Sequence, residues 1–202
     1  MPEAIDWNGN NRATGLSLTS VQSDNLARLL RDVGYSIRMN YQSGGSGASP
    51  YRIPEALITH FGYLPGARVV ERNNVINKSQ WVQMLYDEMM ENGPVVYCGY
   101  SDNSGHCFVL DGMDSNQKVH IDWGWTKSQN GWYSLDLLKT GVTDEGIGGG
   151  DFDFTKGQQM LLGVRPDRTK QTQLFSPYRT KVYTLTTPNG TLTTNEDGTA
   201  LT

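Results

Sequence analysis

GPVVYCGYSDNSGHCFVLDGMDSNQKVHIDWGW, residues 93–125, is the stretch whose reading decides the fold. Three short runs, 94–100, 106–112 and 118–124, are rich in β-branched, aromatic and aliphatic residues. Turn-forming pieces, Ser101 to Gly105 and Met113 to Gln117, separate them. Runs of this length between Ser/Asp/Asn/Gly turns read as successive short strands. Downstream, GWYSLDLL (131–138) and QQMLLGVRP (158–166) read as further strands, with the glycine-rich loop GIGGG (146–150) between them. Upstream the period changes. Leu26, Leu29, Leu30 and Val33 recur at helical spacing in a segment that Ser23 or Asp24 can N-cap and Gly34 can stop. YSIRMNY (35–41) alternates like a strand, and QSGGSGAS (42–49) is a loop. Pro50 to Phe61 forms a second helix, Val69 to Arg72 a short strand, and Ser79 caps a third helix over Gln80 to Glu91. Helices first and a strand run second predict an α+β fold with an antiparallel sheet. From Asp167 the chain turns polar and Thr-rich. KVYTLTT, PNG and TLTT (181–194) read as a hairpin that begins a further β module.

Composition bounds the function. The chain has 202 residues, enough for one sizeable core. A net charge of −4 carries no footprint for nucleic acid or an anionic membrane. No apolar run approaches the roughly 18 residues of a membrane helix. With 37% hydrophobic residues, five Trp and ten Tyr, the chain is built to pack rather than to stay disordered. Two cysteines cannot make a disulfide framework and fix no compartment.

His106 is the first candidate for chemistry. It opens an apolar strand at the lip of a turn, where an imidazole can project into a cleft and work as a base near neutral pH. An exposed, non-catalytic histidine is the plainer alternative. Cys107 adjoins His106 on the same strand, so the two side chains leave opposite faces and cannot form a dyad. If Ser101 to Gly105 is a hairpin loop, Gly99 faces His106 and Cys98 faces Cys107, with both sulfurs on the side away from the imidazole. Read alone, the cysteines are small buried apolar residues; no metal-ligand spacing joins them to a histidine. In DWGW (122–125), Trp123 and Trp125 can wall a cleft or simply pack in a core. Asp122 can accept a hydrogen bond from an imidazole or sit as a surface acid. The loops QSGGSGAS and GIGGG do not open helices in the dinucleotide pattern, so they suit a cleft rim better than a phosphate. His60 and His120 read as structural or exposed.

Taken in order, DVGYSIRMNY, SGGSGAS, ALITHFGY, GPVVYCGY, SGHCFVLDG, VHIDWGW, NGWYSLDLL, GIGGGDF and QQMLLGVRP resemble the streptopain family of secreted bacterial cysteine peptidases, interpain-like enzymes included. The resemblance runs from about Asp6 to Pro166. Its sharpest parts are G-H-x-F-V-x-D-G and the H-x-x-W-G-W that follows. It implies a two-lobed papain-like fold with the active site between the lobes. The nucleophilic Cys would start a central helix in one lobe, and the catalytic His would stand on the sheet of the other. By the motif that histidine is His106, with Trp123 beside it and Trp125 beyond. Asp122, where the family usually has Asn, joins them as a catalytic candidate. Ser46, Gly47, Ala48, Gly105, Trp125, Gly148 and Gly149 are the expected substrate-binding residues. Cys107 replaces Ala, and Thr126-Lys127 replace Gly-Gly.

The segment carrying the nucleophile should precede Asp6, and neither Cys98 nor Cys107 matches its position. The expectation is therefore an incomplete papain-like peptidase domain over 1–166, with the central nucleophile helix missing, and a linker and start of a further module over 167–202. The implied function is cysteine-type endopeptidase on protein or peptide substrates. This chain supplies the His but not the Cys, and is inactive alone. The missing N-terminal part of the same domain is its expected partner. No metal or organic cofactor, nucleic acid or membrane is called for. Secretion follows from the resemblance alone. The alternative is a nucleophile-less papain-like module that binds a peptide or protein.

Overall fold

The computed structural model describes residues 19–73, 76–102, 104–125, 129–140, 152–169, 183–187 and 190–194. Two compact units are distinct, one formed by 36–166 and the other by 1–35 with 167–202.

In the second unit, helix α1 spans Ser20–Ser36. Its start is a reciprocal cap. Gln22 N donates to Thr19 Oγ1 at 3.3 Å, and Thr19 N donates to Gln22 Oε1 at 2.9 Å. This Thr-x-x-Gln box displaces the expected caps at Ser23 and Asp24 into the helix. Gly34 does not stop the helix either; it is buried within the last turn. The strands β7 (Tyr183–Thr187) and β8 (Gly190–Thr194) pair antiparallel, as the KVYTLTT–PNG–TLTT pattern predicts.

The larger unit is built on a six-stranded antiparallel sheet. Its strands are β1 (Arg68–Glu71), β2 (Val95–Tyr100), β3 (Gly105–Met113), β4 (Val119–Asp122), β5 (Gly131–Tyr133) and β6 (Lys156–Leu162), in the order β1-β6-β2-β3-β4-β5. Every neighbouring pair is antiparallel. Helices α2 (Ile53–His60) and α3 (Lys78–Asn92) complete it. The expected strand at 35–41 does not form. The helix continues to Ser36, Arg38 then takes φ 53°, and Asn40 pairs with Gly47 through backbone bonds of 2.9 and 3.2 Å. Asn77, not Ser79, caps α3, because Asn77 and Gln80 close a capping box. Gly93 ends that helix at φ 91°.

One face of the sheet makes the core. Val95, Tyr97, Phe108, Leu110, Val119 and Ile121 alternate inward on β2, β3 and β4, and Trp81 and Leu85 of α3 pack with them. Polar groups inside this core are tied together. Trp81 Nε1 donates to Tyr97 Oη at 2.8 Å, and Tyr97 Oη donates to Gln158 Oε1 at 2.6 Å. Arg72 Nη1 donates to the same Gln158 oxygen at 2.9 Å, and Gln158 Nε2 donates to the Leu135 carbonyl at 2.5 Å. Glu88 Oε1 accepts from Gly163 N and Val164 N, fastening α3 to the exit of β6.

Candidate active site

The β2–β3 hairpin sets the site. Its register pairs Gly99 with His106 and Cys98 with Cys107, the pairing read from the turn Ser101 to Gly105. Ser101 holds that turn, with its N donating to Ser104 O at 2.7 Å and its hydroxyl accepting from Ser104 N at 3.0 Å. His106 therefore leaves the face that carries Phe108 and Leu110, while Cys107 leaves the other.

The two cysteines are not free thiols packed as apolar side chains. They form a disulfide, Cys98–Cys107. Its strand positions put both sulfurs on the face opposite His106, so neither serves it as a nucleophile, and neither offers a thiolate to a metal.

His106 is half-buried among aromatic rings. Trp125 stacks on it at 4.8 Å between centroids, with planes 24° apart, and Trp123 lies at 6.3 Å and 16°. Gly124 makes this possible. Its φ of 75° turns the chain so that Trp123 and Trp125 stack on each other at 5.5 Å. Trp123 is fully buried. Burial raises the pKa of the Tyr133 hydroxyl, whose ring meets Trp123 edge-on at 5.4 Å.

The imidazole is oriented by the backbone. His106 Nε2 lies 2.9 Å from the carbonyl oxygen of Trp123. A carbonyl can only accept, so Nε2 carries the proton and Nδ1 is left as the basic nitrogen. Asp122 does not reach the ring. It points away from the core face, and its Oδ1 accepts from Gly124 N at 2.9 Å, which fixes the turn between the two indoles. Asp122 thus supports the Trp pair rather than the imidazole directly.

Ser46, Gly47, Ala48, Gly105 and His106 are among the residues lining one cavity of about 450 Å³, on the sheet face that carries the cystine, so His106 borders it from the strand while its ring leaves the other face. Ile37, Met39, Pro50 and Ile53 complete its apolar side, and Tyr100 and the cystine its sheet side. Arg52 Nη1 donates to the Arg38 carbonyl at 3.1 Å, which ties the two loops of that wall together. Gly148 and Gly149 lie outside the described residues. His60 and His120 stand apart from the cavity. His120 Nδ1 pairs with Asp111 at 2.5 Å on the other side of the sheet.

Two further aromatic residues belong to the wall around His106, one touching it and one behind. Phe154 lies 5.6 Å from it, and Phe152 stacks on Phe154 at 5.7 Å and reaches Trp125 at 6.1 Å. The segment is held by Thr140 N donating to Phe152 O and Phe154 N donating to Leu138 O, both at 2.9 Å. Phe152 closes the GIGGGDF segment that carries part of the resemblance, and Phe154 follows it with no signal of its own.

Comparison with known proteins gives a consistent picture. The model of the Peptidase C10 family matches residues 2–133. The thiol protease/hemagglutinin PrtT of Porphyromonas gingivalis is 30% identical over 96% of this chain and 26% of its own length. Streptopain of Streptococcus pyogenes is 32% identical over 73% of this chain and 36% of its own. The chain thus spans roughly a quarter to a third of these relatives. The structure of active interpain A, a cysteine protease of Prevotella intermedia, superposes with a TM-score of 0.68 at 27% identity, covering 80% of this chain and 64% of that one. A prointerpain A fragment from the same organism gives 0.64 at 28%, covering 81% and 49%. The fold is papain-like and of the α+β class.

Proposed function

Because this chain belongs to the peptidase C10 family, we propose that it supplies the histidine half of a cysteine-type endopeptidase site, with His106 as the proton-transferring group. The observation that carries the reading is the bond from His106 Nε2 to the Trp123 carbonyl. It fixes one tautomer and leaves Nδ1 to exchange protons with a thiol. In the reaction, Nδ1 takes the thiol proton and the thiolate adds to the scissile carbonyl carbon. The imidazolium then protonates the departing amine. The returned neutral imidazole deprotonates a water, which hydrolyses the thioester. Trp123 and Trp125 shield the ion pair, where a low dielectric strengthens thiolate–imidazolium attraction. Ser46, Gly47, Ala48 and Gly105 line the cavity offered to the peptide. The chemistry calls on no metal or organic cofactor.

The thiol must come from elsewhere. The 202 residues contain two cysteines, and those are bonded to each other. We take residues 1–166 as part of the peptidase domain and 167–202 as a linker and the start of a further module, with the nucleophile segment as the partner of the cavity. A disulfide on a part-exposed sheet face fits an oxidising compartment and thus a secreted protein. Substrates are proteins or peptides.

Casein hydrolysis tests this. The 202-residue chain should give no cleavage under reducing conditions. Robust cleavage that vanishes in His106→Ala yet survives the double change Cys98→Ser, Cys107→Ser would overturn the account of the nucleophile. The second reading, a peptide-binding module without hydrolysis, is favoured by the locked cystine beside an intact cavity. It predicts saturable peptide binding by this chain and no thiol-dependent turnover by any longer form.

A further inference from the structure

Gly99 faces His106 across β2 and β3. Its φ is not in the left-handed region, so backbone freedom does not explain a glycine here. Space does. A Cβ on Gly99 would lie 2.1 Å from the carbonyl oxygen of Phe154 and 2.9 Å from its Cβ. The chain crosses directly over Gly99 just before it enters β6. There the β2–β6 pairing shifts register between Cys98 and Tyr100. Phe154 is almost fully buried, and its ring sits 5.6 Å from the imidazole and 6.3 Å from Trp125.

We propose that Gly99 is a positioning residue for His106: its missing side chain lets the Phe154 backbone close onto the sheet and press an aromatic wall against the imidazole. The proposal rests on the catalytic reading of His106 and adds the element that holds the ring in place. In Gly99→Ala the Phe154 carbonyl must retreat from 2.1 Å to at least 3.4 Å, a shift of more than about 1 Å, to reach ordinary contact. Phe152 and Trp125, stacked in series on Phe154 and His106, move with it. The imidazole then gains room to swing off the Trp123 carbonyl. Displacements of about 1 Å around a reacting group are large enough to cost ~100-fold in rate.

The test is a nitrogen-15 spectrum of the His106 ring in the 202-residue chain, recorded at a pH where the ring is neutral. Wild type should show the Nε2–H tautomer. Gly99→Ala should lower the preference for that tautomer about tenfold, the worth of one hydrogen bond. Gly112→Ala is the control. A Cβ there would meet Trp132 at 3.4 Å and His120 at 3.5 Å, ordinary contacts, so the His106 spectrum should not change. If Gly99→Ala does not fold, Phe154→Leu decides, since it removes the ring and keeps the backbone. An unchanged tautomer in a folded Gly99→Ala, or in Phe154→Leu when the first variant is unfolded, overturns the proposal. Failure of the catalytic reading looks different: a thiol-bearing form of the domain would keep its casein hydrolysis after His106→Ala, and the tautomer result would stand.

Discussion

His106 and Trp125 lie face to face, with ring centroids 4.8 Å apart and planes 24° from parallel. The indole covers one side of the imidazole, and Phe152, itself 44% exposed, covers part of the indole. Trp125→Ala would open the ring to water. Loss of the stack should cost about 0.5–1.5 kcal/mol of stability, read as a lower Tm. In a thiol-bearing protein kcat/KM should fall at least about tenfold, because solvent weakens the thiolate–imidazolium pair. A Trp125→Phe variant should recover most of both losses. If Trp125→Ala left both Tm and kcat/KM unchanged, the indole would have no shielding role.

The cystine makes an opposite kind of prediction. It closes a loop with a sequence separation of 9 on the sheet face away from His106. Loop-closure entropy assigns it about 2.5 kcal/mol. Replacing Cys98 and Cys107 together with Ala should therefore lower Tm while leaving the His106 ring spectrum as it was. A changed tautomer in that variant would mean the cystine, and not only the aromatic wall, orients the ring.

The contrast between those two features shows where sequence reading reaches. Turn residues Ser101 to Gly105 define the hairpin, and from it follow the Gly99–His106 and Cys98–Cys107 pairings. Strand alternation then separates the sulfurs from the imidazole. The approach of Cys98 and Cys107 is therefore legible, but that the two sulfurs are bonded rather than free thiols is an oxidation state, which residue identity and spacing do not carry. The α1 start depended on competition between neighbouring caps, won by Thr19 because Gln22 can answer it. Arg38 carries the left-handed turn expected of Gly34, so the strand at 35–41 was lost to local backbone strain that no motif marks. The partner of His106 is a main-chain carbonyl, and a backbone acceptor leaves no trace in residue identity. Asp122 attracted notice because it is a carboxylate, whereas its work is done on Gly124 N.

That last point yields a prediction. Asn at position 122 retains an oxygen for Gly124 N, so Asp122→Asn should leave Tm unchanged and, in a thiol-bearing protein, kcat within about threefold of wild type. Asp122→Ala removes the acceptor and frees the turn between Trp123 and Trp125. It should lower Tm by an amount equivalent to about 1 kcal/mol. An Asp122→Asn variant with a strongly shifted pH–rate profile would show that the carboxylate charge acts on His106 after all.

Tyr97 sits at the centre of the buried polar chain, and burial raises its pKa far above the usual phenol value. It stays neutral and donates to Gln158 while accepting from Trp81. Tyr97→Phe keeps the ring but orphans the Trp81 N–H, at a cost of about 1–3 kcal/mol. Chemical denaturation should show a lower midpoint with an unchanged m-value. An unshifted midpoint would mean that water replaces the hydroxyl.

Asp136 gives the chain a dependence on acid. Lys78 and Arg72 bond to its carboxylate and hold its pKa below the usual carboxylate range. A depressed folded-state pKa means that the unfolded chain binds the proton more readily. The stabilisation is therefore complete above the unfolded-state pKa and is lost as pH falls through the folded-state value. The carboxylate is 42% exposed, so solvent screens the pair and the effect is modest. Asp136→Asn removes the charge at every pH. Its Tm should lie below wild type near neutrality, and the gap should close as pH falls through the lowered folded-state value of Asp136. The same variant in high salt should show a smaller gap, since the Lys78 contact is exposed. A gap that persists unchanged into acid would assign the loss to packing around Arg72 and Gln158 instead of to charge.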